Sequence, residues 1–178
     1  MKKFVVVMIV SFLMSISVNF CSAKDVRVSD YGVDGFVINY NKIANSTGHS
    51  NILINDIPIL NDKVNIAGYL YDSYAVVCGS RNSGVIINFW VTLDGYISRI
   101  IVYGDRRIEN SAYILGQSVS AILFTLGMTH EEYDNFWNLL GKNNFNGYYW
   151  CRNANRYINC EFKSKDVFSY VMIYSDID

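Results

Sequence analysis

The chain has 178 residues with 15 basic and 16 acidic side chains, a formal charge of −1. So even a balance lacks the concentrated basic surface that a phosphate backbone requires, and it excludes nucleic acid as the expected partner. Four cysteines and two histidines stand at no recognisable metal-ligand spacing, so neither a metal nor a cofactor is expected.

Lys2 and Lys3 precede an apolar run over residues 4–14, and a more polar stretch then ends at Cys21-Ser22-Ala23. These are the three parts of a secretory signal peptide, with cleavage expected after Ala23. The apolar centre is too short to span a bilayer comfortably. Cleavage removes two lysines and leaves residues 24–178 as one exported domain, periplasmic or extracellular, with 13 basic and 16 acidic residues and a charge of about −3. No later apolar run is long enough to anchor it, so no stable membrane insertion is expected.

Residues 24–35 form a lead-in, and 35–41, reading G-F-V-I-N-Y-N, predict a strand. From Ile52 short apolar segments alternate with turn residues, the spacing of an antiparallel meander. Strands are expected at 64–71, 74–78, 85–93 and 96–103, with turns at Asp72-Ser73, 79–84 and Asp94-Gly95. Pro58 has no amide proton, which places its segment at an edge or in a loop.

The most informative stretch is 84–105, a hairpin closed by Asp94-Gly95. With those two residues as the loop, Leu93 faces Tyr96. The pairs Val91/Ser98, Phe89/Ile100 and Ile87/Val102 then share an apolar face, and Thr92/Ile97, Trp90/Arg99 and Asn88/Ile101 share a mixed one. That pairing sets Trp90 beneath the guanidinium of Arg99.

The hydrophobic period then changes. Ile108, Ala112, Leu115, Val119, Ile122 and Leu126 recur at steps of three and four, the stripe of a core-facing helix. Gly127 suits its C-terminus, and Thr129 with Glu132 makes a capping box for a second helix that buries Tyr133, Phe136, Trp137 and Leu140. Segments 147–153 and 157–163 predict a hairpin, and 168–174 a last strand. The expected fold is α+β: an antiparallel meander with two consecutive helices packed on one face, then a C-terminal hairpin and strand.

If Asn155 and Arg156 form the hairpin loop, Cys151 stands opposite Cys160, close enough for a disulfide in an oxidising compartment. Arg106 and Arg107, just before the first long helix and one strand from Arg99, suggest a small anion site. The aromatic content, 14 Tyr, 10 Phe and 3 Trp, is the most unusual feature. Tyr148, Tyr149 and Trp150 fall together in the hairpin, and such rings give large contact area at modest entropic cost. The expected function is a non-catalytic binding module for an envelope protein or glycan. The alternatives are a small secreted hydrolase with a carboxylate-based site, or a structural accessory subunit of an envelope complex.

Overall fold

The computed structural model describes residues 27–66 and 68–175; the expected leader, residues 1–23, lies outside them. In chain order the elements are helix α1 (Val33–Ser46), a 3₁₀ turn (Ser50–Ile52), strands β1 (Ile59–Ile66), β2 (Tyr69–Val77), β3 (Val85–Val91) and β4 (Ile97–Asp105), helices α2 (Ser111–Thr125) and α3 (His130–Lys142), and strands β5 (Asn146–Cys151), β6 (Arg156–Lys165) and β7 (Phe168–Tyr174). All seven strands form one open antiparallel sheet in the order β1-β2-β3-β4-β7-β6-β5. Each half therefore runs helix first and meander second, and the last strands of the two halves, β4 and β7, meet at the centre. This is the expected α+β class, with a third helix.

That helix, α1, replaces the strand expected at 35–41. Phe36, Tyr40 and Ala44 recur every fourth residue and are fully buried, so they lie on one helical face. Its β-branched residues raise strand propensity, but burying that stripe against the sheet wins. Phe36 meets Phe89 of β3 edge-on, ring centres 5.6 Å apart.

The first hairpin is also displaced from its expected place. Asp72 and Ser73 lie inside β2, opposite Val91 and Trp90, and the Ser73 hydroxyl is 3.0 Å from the Asn88 side-chain oxygen. The first strand instead ends at Ile66 and the second begins at Tyr69, and the Gly68 amide between them donates to the Asn65 side chain at 3.2 Å. β1 begins directly after Pro58 and forms one edge of the sheet.

The central hairpin keeps the expected pairs Trp90/Arg99, Phe89/Ile100, Asn88/Ile101 and Ile87/Val102, but Val91 faces Ile97 rather than Ser98. The Thr92 amide donates to the Tyr96 carbonyl at 2.9 Å, which makes the loop the three residues Leu93, Asp94 and Gly95. Gly95 takes a φ of 87°, the left-handed conformation such loops need and glycine adopts freely. A bulge at Ser98 of β4, opposite Trp90 and Val91, absorbs the extra residue, and every pair beyond it returns to register.

All three helices cover the same face. Phe36 lies on Phe89, Leu115 of α2 lies so close over Gly104 that a Cβ there would meet its Cδ1 at 2.9 Å, and Phe136 of α3 packs on Tyr149 at 5.9 Å. Ile87, Phe89, Ile100, Val102, Ile158, Val171 and Ile173 supply the floor of this core. The Thr129/Glu132 capping box starts α3 as expected.

Candidate functional site

The other face of the sheet has no helix over it among the described residues. Because side chains alternate along a strand, this face is read directly from the register. One row of directly opposed residues runs Ser73, Trp90, Arg99, Tyr174, Asn159, Tyr148 across six strands. From Trp90 to Tyr148 it covers four strand spacings, about 19 Å. The next row is Ala75, Asn88, Ile101, Met172, Glu161, Asn146, and the one beyond it Val77, Ile86, Tyr103, Tyr170, Lys163. The result is a broad aromatic face with charges set into it.

At the centre, the Arg99 guanidinium lies 5.7 Å from the Trp90 ring centre and 5.0 Å from that of Tyr174. Tyr71 stacks on the Trp90 ring at 6.2 Å and is itself buried. The Tyr174 hydroxyl donates to the Glu161 carboxylate, which Lys163 also engages at 2.7 Å. Hydrogen bonds from Lys163 and then Tyr174 hold the Glu161 carboxyl below its ordinary range, and Glu161 in turn raises the pKa of the Lys163 ammonium. Tyr103 and Tyr170 pack together at 5.6 Å, and burial, then Tyr170, pushes the Tyr103 hydroxyl up.

At the β5 end Tyr148 and Trp150 project onto this face, 64% and 40% exposed, each meeting Tyr157 edge-on at 5.6 and 5.0 Å. Tyr149 points the opposite way, into the helices. Of the seven expected binding residues, the structure thus places Trp90, Arg99, Tyr148 and Trp150 on one surface and Tyr149 beneath it.

Arg106 and Arg107 are engaged within the chain. Arg107 forks onto Asp105, with Nη2 to Oδ2 at 2.6 Å and Nε to Oδ1 at 3.0 Å, and these bonds hold the Asp105 carboxyl down at about 2. The Arg106 guanidinium donates to the Asp166 carbonyl. Both residues are occupied by partners of their own at the end of β4.

The expected Cys151–Cys160 pairing is corrected by the hairpin register. Its loop is four residues, 152–155, so Cys151 faces Arg156 while Cys160 faces Gly147. Four residues of strand separate the two thiols, about 13 Å, beyond any disulfide span. Cys78, Cys151 and Cys160 are all buried and free.

Cys78 shares a polar pocket in the core with Tyr40 and Ser118, which sequence reasoning missed. The Tyr40 hydroxyl donates to the Ile52 carbonyl at 3.1 Å and Ser118 to the Ile114 carbonyl at 2.7 Å. The Cys78 sulfur lies 3.1 Å from the Ile52 carbonyl and 3.0 Å from the Ser118 hydroxyl. Burial raises the pKa of both Cys78 and Tyr40, so the thiol stays protonated and unreactive. The His49 ring bonds the Gln117 side chain at 2.9 Å. Among the described residues no three His, Cys, Asp or Glu side chains could hold a metal, and no helix is long and apolar enough to cross a membrane.

Comparison with known proteins finds no family model that matches this chain, and no curated protein or solved structure matches it.

Proposed function

We propose that the protein is an exported binding module that docks a partner protein on the open face of its sheet, through Trp150, Tyr148, Tyr157 and the row that runs from them to Arg99 and Trp90. The observation that carries this reading is the row itself: three rings and an arginine from four strands, with Asn159 between them on β6, on a face that no helix covers among the described residues. Tyr, Trp, Met and Arg are enriched at protein interfaces, and Trp, Tyr and Arg supply much of the binding energy there.

The hydrolase alternative asks for a carboxyl held protonated near neutral pH. Asp105, Glu132 and Glu161 are all shifted the other way, toward the ionised form.

Crosslinked capture from envelope extract tests the proposal with three baits: wild type, Tyr148→Ala/Trp150→Ala, and Tyr113→Ala, an exposed tyrosine on α2 as control. A protein crosslinked to wild type and control but lost from the double variant supports it. Equal capture by all three overturns the surface, and capture abolished by periodate treatment of the extract overturns the protein partner in favour of a glycan.

A further inference from the structure

We propose that the half-open cleft between α2, α3 and the β6–β7 part of the sheet is a binding pocket for the uncharged hydrocarbon body of a small ligand. It measures about 280 Å³ and its lining is wholly apolar. Protein cores rarely leave voids larger than a water, and an apolar cavity of about 150 Å³ already accepts benzene. This one has nearly twice that room.

Its mouth is built from aromatic rings left in water. Trp137, Phe145 and Phe162 all line the pocket, and each is more than a third exposed. They meet edge-on in sequence, Trp137 with Phe145 at 6.3 Å and Phe145 with Phe162 at 6.2 Å. The floor is Cys160 and Val171, from the helix-facing side of the sheet. Burial, then the nearby Glu161, pushes the Cys160 thiol up to about 12, so the floor is neutral at any physiological pH.

Gly116 is the second, independent sign. It sits in the middle of α2, where glycine destabilises a helix relative to alanine. Its backbone needs no positive φ, and a Cβ there would meet nothing within 4 Å. No close approach explains the missing side chain, and what its absence leaves is pocket volume. The pocket lies on the helix side of the sheet and the aromatic row on the other, so the two readings stand or fall separately.

The test titrates the purified protein with decanoate, a chain, and with N-phenyl-1-naphthylamine, a fused ring, following heat by calorimetry for the first and probe emission for the second. Wild type should bind at least one of them saturably at one site, and the pair tells chain from ring. Gly116→Leu, which extends a side chain into the space, should weaken binding by about tenfold or more, with Gly116→Ala intermediate, while circular dichroism and the melting temperature report an intact fold. Tyr148→Ala/Trp150→Ala should bind as wild type does. Absence of binding to wild type, unchanged binding by Gly116→Leu and Gly116→Ala, or loss of binding in the open-face variant each overturns the assignment.

Discussion

The guanidinium of Arg99 stands 5.0 Å from the ring centre of Tyr174, its register partner across the central β4–β7 pairing. That contact joins the two halves of the chain, since β4 closes one meander and β7 the other. Trp90 takes the opposite flank of the same cation at 5.7 Å, and the Met172 sulfur lies 3.6 Å from Nη1. A cation held over two rings and partly shielded from water is worth about 1–2 kcal/mol. Arg99→Met, which keeps the apolar stem and deletes the charge, is expected to lower unfolding stability by that amount in urea titration. Arg99→Lys should recover only part of it, because an ammonium cannot lie flat on both rings. Equal stability of Arg99→Met and wild type would show that the stem alone matters.

Adjacent residues of β5 should behave in opposite ways. Tyr149 packs on Phe136 in the helix-covered core, so Tyr149→Ala opens a cavity and is expected to cost about 3 kcal/mol. Tyr148 is largely exposed on the open face, and Tyr148→Ala should cost under about 1 kcal/mol. Urea midpoints for the two variants decide the matter. A reversed order would mean that the β5–β6 register is slipped by one residue.

The same alternation explains what the sequence could and could not reveal. Trp90 and Arg99 were legible as neighbours because Asp94-Gly95 marks the turn and β-branched runs flank it on both sides. The single extra loop residue was not legible, since a bulge at Ser98 cancels it and restores every outer pair. Helix α2 was legible from Leu115, Val119, Ile122 and Leu126, although Ile108 lies before it and Ala112 is exposed, and α3 from Thr129 and Glu132. Helix α1 was hidden because Val33, Val37, Ile38 and Ile43 carry strand propensity while the decisive spacing rests on only Phe36, Tyr40 and Ala44. Asp72-Ser73 looked like a turn by composition alone, yet Ser73 finds a cross-strand partner in Asn88. The open row could not be read at all before the order of strands was known. Tyr174 and Arg99 become neighbours only because β7 returns to the centre, and no local signal encodes that.

Cysteine chemistry gives a direct check on the hairpin register. Cys78, Cys151 and Cys160 are buried and unpaired, and burial leads the causes that raise all three thiols. The native protein should therefore resist iodoacetamide at neutral pH, where thiolate is the reacting species. In denaturant without reductant, each of the three should take up one label, read by intact mass and peptide mapping. A linked Cys151–Cys160 peptide that disappears on reduction would require the two-residue loop at Asn155 and Arg156 and would overturn the four-residue loop at 152–155.

Glu132 sets the expected acid response. Burial alone would raise its carboxyl, but the amides of Thr129 and Arg152, donating at 3.0 Å each, and the Arg152 charge hold it lower than an ordinary glutamate. A carboxyl more acidic in the folded chain than in the unfolded one adds stability that is complete above its unfolded value, near 4.5. That stability is lost as pH falls through the lower folded value. Asp105 and Glu161 are shifted in the same direction, so the melting temperature should hold steady from neutral pH to about 5 and then decline toward about 2. Glu132→Gln keeps a capping side chain but removes the charge. It is expected to cost about 1 kcal/mol at pH 7 and progressively less below pH 4, as wild type itself becomes protonated. Melting curves at intervals between pH 2 and 7 would show the two profiles converging in acid. A constant gap at every pH would mean that packing, and not the charge-assisted bonds to Thr129 and Arg152, is what Glu132 contributes.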